Sequence, residues 1–124
     1  MFTTSDAAAV LNAGRGTAYG VWSPYLVAFT ADPTAAGSFT NEVVGGGYAR
    51  QPVTLAVPAA KGTNNTGLLT FNATAGTVIT HTGLADALTG GSLRRYVQLG
   101  TPLTVGTSGQ VTVAATTGLT DTLA

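Results

Sequence analysis

The side chains that could do acid–base, nucleophilic or metal chemistry are few and scattered. The chain holds one histidine, His81, no cysteine, and five acids, Asp6, Asp32, Glu42, Asp86 and Asp121. A metal site would need several His, Cys or carboxylate ligands beside His81, and these are too scarce. Asp32, Glu42, Asp86 and Asp121 are the carboxylates a glycosidase-like pair would draw on. Each falls in or beside an expected turn or the chain end, where such residues commonly bond their own backbone. Serines 5, 23, 38, 92 and 108 lack a Gly-x-Ser-x-Gly context. Gly45-Gly46-Gly47 lacks the Lys-Ser/Thr ending and following helix of a phosphate loop. The residues therefore predict no catalytic set, no cofactor and no metal.

The elements that must carry these residues are mostly strands. A chain of 124 residues reads as one domain with a single core. Residues 3–12 read as a short helix with Ser5 or Thr4 as N-cap, and Gly14 and Gly16 ending it. Such a helix is marginal alone and needs a body to lie on. Residues 1–24 thus form an N-terminal helix or arm ahead of a β-domain over 25–124. In 25–30, Tyr25, Val27 and Phe29 face one way and Leu26 and Ala28 the other. With both faces apolar, this is a central strand. Asp32-Pro33 turns the chain. Further strands are expected at 53–57, 68–71, 77–84, 93–99, 103–105, 110–115 and 119–123. Turns or loops are expected at 61–67, 72–76, 88–92 and 106–109. About eight strands without βαβ alternation predict an all-β antiparallel sandwich.

Charged residues make up 8% of the chain, against about 25% in ordinary domains. The formal net charge is zero while 44% of residues are apolar. A free monomer of that composition tends to associate, so partners are expected to cover part of its surface. The basic residues Arg15, Arg50, Lys61, Arg94 and Arg95 are dispersed, unlike a nucleic-acid footprint. No apolar run reaches membrane-spanning length, and the N-terminus does not read as a secretory signal. Aromatic and arginine side chains are the usual anchors of protein interfaces. The interface candidates are accordingly Arg15, Trp22, Tyr48, Arg50, Arg94 and Arg95, with Tyr19 and Tyr25 as further aromatics. Strand alternation sends Arg94 and Arg95 to opposite faces, with Arg95 beside Leu93, Val97 and Leu99.

Two stretches carry a family resemblance. The first runs from Phe29-Thr30-Ala31-Asp32-Pro33-Thr34 through Glu42 to Gly45-Gly46-Gly47-Tyr48-Ala49-Arg50-Gln51-Pro52-Val53-Thr54. The second runs from Gly76-Thr77-Val78-Ile79-Thr80-His81-Thr82-Gly83-Leu84 through Asp86, Thr89-Gly90-Gly91 and Leu93 to Thr101-Pro102-Leu103-Thr104-Val105. Together they resemble small β-sandwich virion proteins of tailed bacteriophages, many of them labelled tail fibre proteins or found among capsid decoration proteins. Arg94-Arg95-Tyr96 departs from the more apolar strand expected there. The resemblance implies a non-enzymatic virion protein made in the host bacterial cytoplasm. Its first form is a capsid decoration protein on the major capsid protein lattice, with homo-oligomers as further partners. The alternative is a tail fibre, tail-tip or minor tail protein. Another class, a carbohydrate-binding module, would use Trp22 and Tyr48 as stacking platforms.

Overall fold

The computed structural model describes residues 2–16, 20–55, 62–64, 66–113 and 120–122. It is mostly β, with one short helix, α1 (Thr4–Ala13). The strands are β1 (Tyr25–Phe29), β2 (Gln51–Pro52), β3 (Gly62–Asn64), β4 (Leu69–Asn72), β5 (Val78–Ala85), β6 (Leu93–Thr104), β7 (Gln110–Val113) and β8 (Thr120–Thr122). One four-stranded sheet runs β2-β1-β5-β6, and the pairs β3-β8 and β4-β7 complete the architecture. Every pairing is antiparallel.

β1 lies inside the large sheet, between β2 and β5, because both its faces are apolar. Leu26 and Ala28 join Phe71 of β4, Val111 of β7, Ile79, Leu84, Val43 and Val53 in the larger core cluster. The β4-β7 pair therefore supplies side chains to one face of the large sheet. Val27 and Phe29 point the other way, into a smaller cluster with Ala85, Leu93 and Tyr96. Phe39 covers that cluster by stacking on Phe29 with ring centroids 6.3 Å apart. Asp32 shapes the turn after β1 as expected: its Oδ1 accepts from the Thr34 N–H at 2.8 Å, supporting the left-handed backbone of Thr34 (φ 63°).

The α1 cap differs from expectation. Thr3 is the N-cap, its hydroxyl accepting weakly from the Asp6 N–H at 3.4 Å. The reason is tertiary. The Thr3 N–H donates to Arg94 O at 3.0 Å, and its hydroxyl donates to Leu93 O at 2.7 Å. These bonds hold Thr3 in extended backbone, the conformation a cap requires. The body the helix lies on is thus β6 of its own chain.

Three strand expectations also change. The strand expected at 53–57 appears earlier, at Gln51–Pro52, with a bridge at Leu55; residues 56 and 57 lie outside the described residues. Pro52 is tolerated because β2 is an edge of the sheet. The segment 62–64, expected as turn, is β3, paired with β8. The expected strands 93–99 and 103–105 fuse into β6. Within that fusion, Ile79 faces Leu103 and His81 faces Gln98, so Leu99–Pro102 bow out of register. Parts of the strands expected at 110–115 and 119–123 also lie outside the described residues.

A second irregularity sets up the charged cluster treated below. Leu84 pairs with Arg95 while Ala85 pairs with Leu93, leaving Arg94 as the extra residue of a β-bulge. The bulge breaks the alternation expected for 93–99. Leu93 and Tyr96 share one buried cluster, and Arg94 and Arg95 are not sent to opposite faces. Next to the bulge, paired with Tyr96, stands Gly83. A Cβ there would lie 2.5 Å from Arg95 O and 2.8 Å from Leu93 Cδ1, so only glycine fits without displacement.

Candidate functional site

Two polar knots gather most of the candidate residues. The first is centred on Arg50, which the chain brings in just after the glycine-rich turn 45–47. Arg50 is only 6% exposed, so its charge requires partners. Its Nε donates to Glu42 Oε2 and its Nη2 to Glu42 Oε1, both at 2.8 Å, a two-pronged pair. Its Nη1 donates to Ala87 O at 2.9 Å and Gly90 O at 2.8 Å. The guanidinium also stacks 4.3 Å over the Phe39 ring. One side chain thereby joins three loops: 39–42, 48–50 and 87–90. The Glu42 hydrogen bonds raise the Arg50 pKa above its usual value despite burial, so the group stays charged.

Tyr48 completes this knot. Its hydroxyl donates to Glu42 Oε2 at 3.0 Å and accepts from the Ala28 N–H at 3.1 Å. Its ring meets Phe71 edge-on, at a centroid distance of 5.9 Å. Above the knot is an open cavity of about 510 Å³, rimmed by Val44 and Leu88.

The second knot is centred on Asp6, a fully buried carboxylate. Arg94 Nη1 donates to Asp6 Oδ1 at 3.0 Å, and Arg95 Nε lies 3.5 Å from Asp6 Oδ2. Arg94 Nε also donates to Asp86 Oδ2 at 3.0 Å. The Trp22 ring sits under both guanidiniums, 5.4 Å from Arg94 and 5.8 Å from Arg95. Phe2 lies under Arg95 at 4.8 Å. The bulge makes this convergence possible.

The candidate residues therefore fall into three places. Tyr48 and Arg50 meet around Glu42; Trp22, Arg94 and Arg95 meet around Asp6. Arg15 stands apart, exposed beyond the end of α1, its Nη1 donating to Asn12 Oδ1 at 3.4 Å. Tyr19 lies outside the described residues. Sequence reasoning weighed Glu42 only as a catalytic carboxylate and left Asp6, Phe2 and Phe39 out of the interface candidates, yet these four hold the arginines. The available signal was arithmetic: in so sparsely charged a chain, each buried arginine has few acids to choose from.

His81 is 8% exposed; its Nδ1 lies 2.9 Å from Thr80 Oγ1 and its Nε2 is 3.9 Å from Asp32 Oδ1. Among the described residues, no three His, Cys, Asp or Glu side chains gather where they could hold a metal ion. No helix among them is long and apolar enough to cross a membrane. Both knots hold loops and strands together through matched charges.

These geometries predict a bounded pH range of stability. Burial opposes the charged form of Asp86, but hydrogen bonds from the Ser92 N–H (2.7 Å) and Arg94 outweigh it and hold its pKa below 3.8. A carboxyl lowered by folding stabilises above its unfolded value, and that contribution fades as pH falls through the folded one. Burial pushes the Tyr48 hydroxyl above its ordinary 10.0. Its contribution is full below that value and fades as pH rises beyond it. Urea denaturation across pH should give midpoints that drop below about pH 4 and above about pH 10. Asp86→Asn should weaken the acid limb, and Tyr48→Phe the alkaline limb.

No curated protein matches the chain. A family match covers residues 1–120, and its description is Podophage GP4 fiber I protein gp80. That range takes in the helix, both knots and β1 to β7, ending at the first residue of β8, so the chain belongs to the Podophage GP4 fiber I protein gp80 family, a family of phage fibre-type structural proteins.

Proposed function

We propose that this protein is a non-enzymatic structural subunit of a phage tail fibre, with its sheets packed as a sandwich. The observation that carries this reading is the fibre-family match over residues 1–120. It favours the tail-fibre alternative over the capsid decoration role that the sequence first suggested. The geometry adds support. Arg50, Arg94 and Arg95 are engaged with the chain's own Glu42, Asp6 and Asp86. These pairs tie loops and strands together, which suits a rigid structural subunit. Arg15 remains the exposed candidate for contact with a neighbour. A sugar-stacking role for Trp22 and Tyr48 gains no support, because Trp22 faces two guanidiniums and Tyr48 packs on Phe71.

The test is quantitative mass spectrometry of purified virions combined with immunogold labelling. A low copy number relative to the major capsid protein, with gold on the tail, is expected. Hundreds of copies with gold over the head would replace the fibre reading with decoration. Absence from the particle would overturn both.

A further inference from the structure

We propose that the N-terminal plug, residues 2–6, is exchanged between copies, each inserting Asp6 between Arg94 and Arg95 of the next subunit. The inference gives the fibre reading of the preceding subsection a partner, a second copy of this chain, and rests on that reading only for the need to assemble.

The contacts of the first residues form a plug and socket. Phe2 bridges Arg95 in antiparallel fashion. The Thr3 N–H and hydroxyl bond Arg94 O and Leu93 O. Asp6 fills the space between two guanidiniums and is fully buried there. Beyond the plug the anchoring fades. Ala7, Ala9 and Asn12 are half-buried, while Ala8, Val10, Leu11 and 13–16 are exposed. Leu11 is 73% exposed and Val21 fully exposed. Among the described residues nothing covers Leu11 and Val21, while a buried charge locks the tip of α1. α1 is thus anchored on β6 through its first turn, whereas a helix docked along its whole length would bury its apolar stripe.

The connector is long enough to cross to a neighbour. Residues 7–21 separate Asp6 from Trp22, which stays under the arginines of its own chain. With 7–13 helical and the remainder extended, they span at most about 39 Å. A compact domain of this length is roughly 35 Å across. Every plug contact is the same whether the socket belongs to the same chain or the next. The balance is then set by local concentration, which is high wherever subunits are held side by side. Passing each plug to the next subunit is a heterologous contact that closes into a ring or continues as a filament. It would also lay Val10, Leu11 and Val21 between neighbouring bodies.

The chain lacks cysteine, which gives a clean test. Facing residues of an antiparallel bridge lie about 4.5–5.5 Å apart at Cα, within disulfide range. The full-length Phe2→Cys/Arg95→Cys variant, oxidised and run without reductant, should give covalently linked oligomers. A monomer band carrying an intrachain disulfide overturns the exchange. Sedimentation of the unaltered protein provides a check that does not depend on the folding of that variant. It should be oligomeric at micromolar concentration, and Asp6→Asn should weaken the association at least tenfold. A monomer up to 100 μM, or an oligomer indifferent to Asp6→Asn, overturns the proposal. Either failure leaves the fibre reading intact, since that is decided by where the protein sits on the virion.

Discussion

Replacing Arg50 with alanine is expected to destabilise the fold by about 3–5 kcal/mol, the usual cost of breaking a buried ion pair by removing one partner. The loss has identifiable parts. Glu42 keeps its charge but loses both prongs of its pair, while its side chain is 15% exposed. The carbonyls of Ala87 and Gly90 lose their donor. Phe39 loses the guanidinium stacked on its ring. For a domain stable by about 5–15 kcal/mol, this is a large fraction of the total. Arg50→Lys should recover only part of it, because an ammonium lacks the planar fork that reaches Glu42 and two carbonyls together. The double variant Glu42→Gln/Arg50→Met should be milder than Arg50→Ala, since neither buried charge is stranded. Urea midpoints of the three variants decide the matter. An Arg50→Ala loss under about 1 kcal/mol would place the pair among the weak surface ion pairs.

Among the described glycines, Gly46→Ala should be the most damaging methyl addition, costing about 2–5 kcal/mol from a left-handed backbone and a backbone clash together. Gly46 has φ +64°, and an added Cβ would lie 2.2 Å from Thr74 N and 2.5 Å from Ala73 C. Both neighbours are main chain, so no rotamer change can relieve the contact. The loop would have to lift from the segment after β4, carrying Tyr48 and Arg50 with it. Gly76→Ala is the matched control. Its φ is +88° with nothing within 4 Å, so it bears the conformational cost alone, about 1–2 kcal/mol. Thermal unfolding of the pair separates strain from clash. Equal losses would mean that the Gly46 contact relaxes freely.

Local patterns carried much of the architecture. The central place of β1 was legible because Tyr25-Leu26-Val27-Ala28-Phe29 is apolar on both faces, and Asp32-Pro33 announced the turn after it. What was not legible depended on distant partners. Residues 62–64 look like turn until 120–122 arrive to pair with them. The N-cap moved to Thr3 because Leu93 and Arg94 supply its hydrogen bonds. The same limit applies to the site. Residue types singled out the arginines, but the Asp6 partner of Arg94 is 88 positions away. Arg94 and Arg95 were assigned opposite faces because strict alternation holds only in a regular strand. The bulge at Arg94 is decided by its register against β5 and by the absence of a Cβ at Gly83.

The outline of the large sheet bears on how so sparsely charged a protein resists edge-to-edge stacking. A straight, neutral sheet edge is a template on which other chains can stack into cross-β aggregates, and charged edge residues are a common safeguard. Here neither edge relies on charge along its free length. β2 is two residues long and ends in Pro52. β6 is uncharged from Val97 to Thr104, but it bows out between Gln98 and Leu103 and includes Pro102. Shape replaces charge as the safeguard against runaway templating. The protein can then carry few charges and still be synthesised at high concentration without its large sheet acting as a template.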